Sequence, residues 1–121
     1  MAKRVLIVDD ALFMRTMLSD IFVEAGWDIV AEAESGEQAI ESYHRLKPDI
    51  VTMDVVMPEM SGIDALQKIL KTDPEARIVV CSALGQKHLI IDAIQAGAKD
   101  FIVKPFKKEQ VLEVVERVVS E

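Results

Sequence analysis

The sequence predicts a doubly wound α/β fold, in which helices cover both faces of a parallel sheet. Two observations predict this fold class. Short apolar runs rich in β-branched residues alternate strictly with longer amphipathic stretches, which is the pattern of consecutive β-α units. Residues 5–8 and 78–81 are moreover apolar at every position, as is typical of strands that are buried on both faces. The predicted strands are residues 4–8, 27–33, 49–53, 77–82 and 100–104, and the predicted helices are residues 12–25, 36–46, 62–71, 86–96 and 107–120.

The first two β-α units have clear boundaries. The run RVLIV forms the first strand, and Gly26 can end the helix that follows it. The second strand carries Asp28 and Glu32, so it is more polar than the other strands and fits an edge of the sheet. The sequence SGEQ then predicts a capping box for the second helix, with Ser35 as the N-cap and Gln38 as the third helical residue.

The remaining units follow in the same order. The third strand, DIVTM, is apolar, and Ser61 can cap the helix that comes after it. The pair Asp73–Pro74 interrupts the chain before the fourth strand, RIVVCS, and Gly97 can end the next helix. The fifth strand, DFIVK, leads into the last helix, EQVLEVVERVV. Because no repeat or linker is visible, we expect a single domain over residues 1–121.

The composition argues against several classes of function. The formal net charge is −7, the pI is about 4.8 and no basic patch is visible, so we expect no nucleic acid or anionic membrane as a partner. No apolar stretch approaches the ~20 residues of a membrane span, and the N-terminus does not resemble a signal peptide. The one cysteine, Cys81, lies in an apolar run and is expected to be buried. We therefore expect a cytoplasmic protein without an internal disulfide.

Four of the five predicted strands end next to a charged or hydroxyl-bearing residue. These residues are Asp9 and Asp10 after the first strand, Asp54 after the third, Ser82 at the end of the fourth and Lys104 at the end of the fifth. In open parallel sheets, ligands bind beyond the carboxyl ends of the strands, where the strand order reverses. If the first and third strands are neighbours, three carboxylates meet at this edge.

Such a cluster of carboxylates requires compensation. Two like charges ~4 Å apart repel by roughly 4 kcal/mol at an effective dielectric constant of ~20. A bound Mg²⁺ is the simplest compensation, because carboxylate and water oxygens are ligands that it prefers. With Lys104 as a second cation and Ser82 as a hydroxyl donor, the set can stabilise a transferred phosphoryl group, for which a carboxylate can be the nucleophile.

Each of these residues also has an ordinary structural interpretation. Asp9 or Asp10 can cap the first helix, and Asp54 can begin a turn. Ser82 and Lys104 can be solvated. Their joint placement at strand ends favours a site instead. A nucleotide-binding function lacks support, because neither G-x-G-x-x-G nor G-x-x-x-x-G-K-[ST] occurs, and the two histidines lack the spacing of metal ligands.

Four motifs are similar to those of the receiver domain of two-component response regulators. They are LIVDD, DIVTMDVVMPEMSG, VVCSA and AGAKDFIVKPF, in that order, and the resemblance covers essentially the whole chain. The segment DDALFMR is in addition similar to the single-domain chemotaxis regulators of this family. The resemblance implies a flavodoxin-like sheet in the order 2-1-3-4-5 with five helices. It also favours a cis peptide bond between Lys104 and Pro105.

The resemblance further implies a role for the acidic residues. Asp54 matches the aspartate that accepts a phosphoryl group from the phosphohistidine of a sensor kinase. Asp10 and Asp54 match carboxylate ligands of Mg²⁺, and Asp9 matches the acid that holds a metal-bound water. The backbone carbonyl of Val56 is expected to complete the protein ligands. Mg²⁺ is accordingly the expected cofactor.

Three further residues match the conformational switch of the family. Ser82 matches the hydroxyl that turns toward the phosphoryl group, Lys104 the lysine that pairs with it, and Phe101 the aromatic residue that then moves inward. Many chemotaxis regulators have tyrosine at this aromatic position. Phe101 has no phenol hydroxyl, so it cannot form that group's hydrogen bond to a partner. Val56 and Leu84 are apolar where other members often carry polar groups beside the path of the hydrolytic water. The lifetime of the phosphoryl group therefore stays open.

The implied function is a phosphorylation-activated switch with two partners, in a protein expected to be a monomer. A chemotaxis histidine kinase would supply the phosphoryl group, and the fourth helix, fifth strand and fifth helix would bind a flagellar motor switch protein. Leu89–Ile91 spans ~200° of the fourth helix, which is wider than one core stripe, so one of these residues can face solvent or a partner; a broad core stripe is an equal alternative. The alternative is a phosphorelay intermediate that passes the group to another histidine. A phosphatase is disfavoured because Val56 stands where a second acid is needed, so we expect no enzyme that acts on other substrates.

Overall fold

A computed structural model describes residues 2–121, which form one five-stranded sheet and five helices. The strands are β1 (Arg4–Val8), β2 (Asp28–Ala33), β3 (Ile50–Asp54), β4 (Ile78–Ser82) and β5 (Asp100–Val103). The helices are α1 (Leu12–Glu24), α2 (Gly36–Leu46), α3 (Gly62–Thr72), α4 (Lys87–Gln95) and α5 (Lys108–Ser120). Every predicted element is present, and its boundaries lie within one residue of the prediction.

The strand order is β2-β1-β3-β4-β5, as the family resemblance implies, and all pairings are parallel. β2 lies at an edge, which confirms the prediction made from its acidic residues. The chain moves from β1 outward to β2, and then returns past β1 to β3 and continues in the opposite direction. The carboxyl ends of β1 and β3 are therefore adjacent at the point where sheets of this class bind ligands.

Alternate strand residues point to opposite faces of the sheet and form two apolar layers. The layer that packs against α1 and α5 includes Ile7, Leu18, Phe22, Ile50, Val111 and Val115. The layer that packs against α2, α3 and α4 includes Leu6, Tyr43, Met53, Leu66, Val80 and Ala93. Because close-packed layers cover both faces, the strands and hence their carboxyl ends are held at fixed positions relative to one another.

The predicted helix caps are present, with one difference. The Gln38 N–H donates to Ser35 Oγ at 3.2 Å, and the Asp64 N–H donates to Ser61 Oγ at 3.1 Å. The return bond of the predicted capping box runs from the Glu34 N–H to Gln38 Oε1 at 3.0 Å, one residue earlier than expected. The glutamine side chain is long enough to reach this neighbouring N–H, so the chain is still tied to the first turn of α2.

Three smaller predictions, on Lys104–Pro105, Cys81 and the stripe of α4, are confirmed. The Lys104–Pro105 peptide bond is cis. Cys81 is a free, buried thiol. Ile91 is 50 % exposed, so the broad apolar stripe of α4 does reach the surface. None of the helices within residues 2–121 is long and apolar enough to cross a membrane.

Candidate functional site

Three carboxylates meet beyond the carboxyl ends of β1 and β3. Asp9 and Asp10 lie between β1 and α1, and Asp54 is the last residue of β3. One oxygen from each residue lies within 4.8 Å of the other two. Asp9 and Asp54 are buried, whereas Asp10 is exposed. The convergence is confirmed as geometry, because the reversal in strand order places β1 beside β3.

Asp9 is held at each of its polar atoms. Its N–H donates to the Ala33 carbonyl at 3.0 Å, and its own carbonyl accepts from Arg15 Nη1 at 2.7 Å. Its Oδ1 accepts from the Ala11 N–H at 2.9 Å, and its Oδ2 accepts from Lys104 Nζ at 3.0 Å. The N-cap of α1 is Ala11, which has no side-chain cap, so the alternative that an aspartate caps this helix is wrong.

Lys104 supplies the positive charge of the cluster. Its ammonium lies 3.0 Å from Asp9 Oδ2 and 3.5 Å from Asp54 Oδ2. The side chain is only 17 % exposed, so the alternative of a solvated surface lysine is wrong. One ammonium beside three carboxylates still leaves an excess of negative charge at this end of the sheet.

The surroundings of Asp54 disfavour its charged form. Burial, followed by the charge of Asp9, raises the pKa of Asp54 from 3.8 to about 6, although Lys104 opposes the shift. The Val56 N–H lies 3.5 Å from Asp54 Oδ1, which is too long for a strong hydrogen bond, so a turn explains little of this position. A cation bound beside Asp54 would favour the charged carboxylate and relieve this penalty.

Two buried hydroxyls in the neighbouring strands lack a hydrogen bond. Ser82, the last residue of β4, is fully buried, and its Oγ has no partner among the described residues. Thr52 Oγ1, inside β3, is in the same condition. A buried hydroxyl without a partner costs about 1–3 kcal/mol and is uncommon in folded proteins. Ser82 is thus a donor without an acceptor on the strand next to Asp54.

The donor set fits a hard divalent cation. Mg²⁺ prefers carboxylate oxygens and is usually bound by one or two of them together with water. The cluster offers three such oxygens, of which the one from Asp10 belongs to an exposed residue that solvent can reach. Val56, the residue expected to contribute a carbonyl, follows Asp54 by two positions and is 50 % exposed at the same edge.

A second feature is an apolar groove between α4 and β5, with a volume of about 560 Å³. Its apolar lining includes Leu84, Ile90, Ile91, Ile94, Phe101 and Val103. Phe101 is 40 % exposed, so it lies at the surface rather than in the core. Ser82 pairs with Val103 in the register of β4 and β5. The groove therefore lies beside Ser82 on β4, and β4 in turn pairs with β3, the strand that carries Asp54.

Sequence reasoning missed two residues at this site. Arg15 is buried in α1 and donates to the Asp9 carbonyl. The available signal was its spacing, because a charged residue shares one helical stripe with the apolar Leu18 and Phe22. The second is Gly62, where a Cβ would lie 2.0 Å from the carbonyl oxygen of Asp54, so only glycine fits. The available signal was its place as the last residue of the motif DIVTMDVVMPEMSG, although the motif does not show what the glycine contacts.

Comparison with known proteins identifies the class of protein that this fold and site define. The chain belongs to the response regulator receiver domain family, which it matches over residues 5–116. It is therefore a receiver domain of the kind used in two-component systems, as the motifs at the strand ends predict.

Within this family, the chain is similar to chemotaxis protein CheY. It is 60 % identical to CheY of Thermotoga maritima over 98 % of both chains. It is 58 % identical to CheY of Bacillus subtilis over 99 % of this chain and 100 % of that one. Among solved structures, it superimposes on the CheX–CheY–BeF₃–Mg²⁺ complex of Borrelia burgdorferi with a TM-score of 0.90 and 43 % identity, covering 96 % of this chain and 88 % of that chain. The likeness to CheY thus extends over almost the full chain.

Proposed function

We propose that this protein is a phosphorylation-activated regulator of chemotaxis, in which Asp54 accepts a phosphoryl group from a histidine kinase. Asp10, Asp54 and the Val56 carbonyl would hold Mg²⁺, with Asp9 in its outer coordination. The observation that carries the proposal is the cluster of three carboxylates whose oxygens lie within 4.8 Å of one another, next to the Lys104 ammonium. The relatives named CheY support it, and one of them was solved with BeF₃ and Mg²⁺.

Asp54 is the proposed nucleophile. A carboxylate oxygen of Asp54 forms a bond to phosphorus, and the bond between phosphorus and the donor histidine nitrogen breaks. The electron pair of that bond stays on the histidine, which leaves as a free imidazole, and an aspartyl phosphate remains. Lys104 would pair with the arriving phosphoryl oxygens, and its distance of 3.5 Å from Asp54 Oδ2 supports this role. Mg²⁺, when bound, neutralises charge on these oxygens.

Ser82 and Lys104 would convert the new group into a change of shape. A phosphoryl group on Asp54 adds acceptor oxygens near the Ser82 hydroxyl, which lacks one. If the Ser82 side chain turns toward these oxygens, it leaves room between β4 and α4. Phe101, which is 40 % exposed on β5, can then rotate inward and reshape the groove beside α4.

The partner that reads this change is proposed to be a flagellar motor switch protein. Its binding surface would be the groove between α4 and β5 together with the adjoining face of α5. An apolar groove of this kind suits the apolar face of a short helix. The Borrelia relative was solved in a complex with CheX, which supports a chemotaxis protein as partner.

Incubation with acetyl phosphate and Mg²⁺, followed by measurement of the intact mass, tests the chemistry. We expect one added phosphoryl group in the wild type, none in Asp54→Asn and none when a chelator is present. Asp64→Asn is the matched control, because Asp64 is an exposed aspartate on α3, and it should be phosphorylated like the wild type. A phosphoryl group on Asp54→Asn would place the acceptor elsewhere and overturn the proposal.

Binding of a motor switch peptide, with and without acetyl phosphate, tests the readout. We expect phosphorylation to tighten binding in the wild type, and Ser82→Ala to accept the phosphoryl group but lose most of this gain. Thr52→Val is the matched control, because it removes the other unpartnered buried hydroxyl and should keep the gain. Equal peptide affinity in both states of the wild type would contradict the motor-switch proposal, and transfer of the group to a second histidine domain would favour a phosphorelay.

A further inference from the structure

We propose that Arg15 is a positioning residue that orients the Asp10 carboxylate toward the proposed Mg²⁺ site. The inference rests on the proposed binding of Mg²⁺ by this cluster. The Arg15 side chain is only 11 % exposed, although it carries a charge that normally stays in water. Its Nη1 donates a buried hydrogen bond of 2.7 Å to the carbonyl oxygen of Asp9. A buried arginine bonded to the main chain of the site calls for a reason beyond surface charge.

The bonded carbonyl belongs to the peptide group that joins Asp9 to Asp10. This group is planar, so its oxygen and the N and Cα atoms of Asp10 move as one unit. A hydrogen bond to the oxygen therefore restricts the rotation of the plane and the direction in which the Asp10 side chain leaves the backbone. Asp10 is itself exposed, so packing does little to restrain its side chain. The orientation of this peptide group thus restrains where its carboxylate can lie.

Arg15 is in turn held by two glutamates. Its Nε lies 3.1 Å from Glu32 Oε1 on β2, and its Nη2 lies 3.8 Å from Glu34 Oε2 just beyond that strand. The rigid guanidinium thus connects the turn after β1 to the edge strand through three separate nitrogens. A lysine, with all its donors on one nitrogen, cannot make this set of contacts at once.

The two glutamates also show that Arg15 is not a counter-ion of the carboxylate cluster. Its charge faces Glu32 and Glu34, and its contact with Asp9 is to the main chain, whereas Lys104 is the cation that contacts the Asp9 carboxylate. A charge effect and a positioning effect therefore predict opposite results. Removal of a nearby positive charge alone would strengthen the binding of Mg²⁺. Loss of the positioning bond would weaken it.

Calorimetric titration with Mg²⁺ tests the inference. We expect Arg15→Gln to raise the Kd for Mg²⁺ about tenfold, the size typical of residues that orient metal ligands. Arg4→Gln is the matched control, because the Arg4 guanidinium also donates to main-chain carbonyls, those of Lys47 at 2.9 Å and Leu46 at 2.8 Å, at the other end of the sheet. It should lower the melting temperature and leave the Kd unchanged. An unchanged or lower Kd in Arg15→Gln overturns the inference.

Arg15→Lys supplies a second test, because it keeps the charge and most of the side-chain length. A charge effect predicts an unchanged Kd, whereas positioning predicts a rise of about threefold, since the set of three contacts is lost. If circular dichroism shows that Arg15→Gln is unfolded, Arg15→Lys alone tests the inference. An unchanged Kd for Mg²⁺ in Arg15→Lys then overturns it. Phosphorylation by acetyl phosphate gives a separate readout, in which the Mg²⁺ concentration for half-maximal rate should rise by the same factor as the Kd.

Failure of the two proposals can be told apart. A wild type that takes up no Mg²⁺ contradicts the proposed function and the role of Arg15 together. A wild type that binds Mg²⁺ as tightly as both Arg15 variants contradicts only the role of Arg15.

Discussion

The two ends of the sheet differ in the partners of their acidic side chains. At the amino-terminal end, acids accept hydrogen bonds from neutral donors: the main-chain N–H of Arg4 donates to Asp49 Oδ2 at 2.7 Å, and the Tyr43 hydroxyl donates to Asp73 Oδ2 at 2.6 Å. At the carboxyl end, acidic groups meet one another, and Lys104 is the one cation bonded to them in the part of the chain that the structure describes. The amino-terminal end of the sheet therefore pairs these acids with donors, whereas the carboxyl end holds more acids than cations.

The difference appears in the titration of the acids at each end. The hydrogen bond from Tyr43 lowers the pKa of Asp73, while burial and Asp9 raise the pKa of Asp54 to about 6. A lowered pKa means that the fold favours the charged acid, and a raised one means that it disfavours it. Strongly shifted acids of this kind are concentrated at functional sites. The amino-terminal end thus favours the charged form of Asp73, and the carboxyl end disfavours that of Asp54, which supports the proposal that a cation binds there.

The largest expected effect concerns the backbone at the carboxyl end. Gly62→Ala would place a Cβ 2.0 Å from the Asp54 carbonyl oxygen and 2.9 Å from Val55 Cα, and backbone atoms cannot move aside as a side chain does. We expect a loss of about 3 kcal/mol in the free energy of unfolding, measured by urea denaturation. In Gly36→Ala the new Cβ would meet only the flexible side chain of Met60, so this control should lose much less. Both glycines follow strands at the carboxyl end, so equal losses would show that the backbone contact of Gly62 with Asp54 does not make it the more tightly packed position.

The second largest expected effect, that of Asp54→Asn, is a gain in the free energy of unfolding. In the presence of a chelator, Asp54→Asn should raise the free energy of unfolding by about 2 kcal/mol at pH 7, because it removes a charge that the fold disfavours. The folded pKa of Asp54 is raised, so the folded state of the wild type holds its proton more tightly and loses stability as the pH rises from about 4 to about 6. The groups that act on it are Asp9, Asp10 and Lys104.

Chemical denaturation of both proteins at pH 4 and pH 7 checks this prediction. The gain from Asp54→Asn should be small at pH 4 and nearly complete at pH 7, and added Mg²⁺ should reduce it. A variant that is less stable than the wild type at pH 7 would remove the contrast between the two ends.

At the amino-terminal end, removal of a partner should have a smaller, destabilising effect. Tyr43→Phe removes the hydroxyl that donates to Asp73, and we expect a loss of about 1 kcal/mol at pH 7. The folded pKa of Asp73 is lowered, so this contribution is complete above its ordinary pKa and is lost as the pH falls through the folded value. Thermal denaturation at neutral and at acid pH measures both parts. A gain in stability at neutral pH would contradict a stabilising role for this hydrogen bond.

The smallest expected effect concerns an exposed ion pair, which water prevents from contributing much to the free energy of unfolding. Glu41 and Arg45 form an ion pair of 4.0 Å on α2, with side chains that are 76 % and 60 % exposed. Glu41→Gln should change the free energy of unfolding by less than about 0.5 kcal/mol, because water screens such pairs. A loss as large as that of Tyr43→Phe, in the same denaturation experiment, would mean that burial does not distinguish the two contacts.

Much of this molecule was predictable from local patterns. Apolar periodicity, with Gly26, Ser61 and Gly97 at element ends, predicted each strand and helix to within one residue. These signals are local, since capping bonds and turns involve residues a few positions apart. The placement of Asp9, Asp10 and Asp54 at one edge was also predictable, because parallel strands bring their carboxyl ends together, but the adjacency of β1 and β3 that makes these acids meet was implied only by the family resemblance. The roles proposed for these residues stay predictions until the phosphorylation experiment is done.

The rest depended on distances between elements that lie far apart in the chain. The sequence by itself determined which residues reach the carboxyl edge, through the alternation of strands and helices. Only the tertiary structure decided that Arg15 reaches Glu32 across 17 positions, that Gly62 touches the Asp54 carbonyl, and that Phe101 stays 40 % exposed. The physical reason is that hydrogen bonds and steric contacts act over a few ångströms, so they become defined only when packing fixes the layers of the fold against one another.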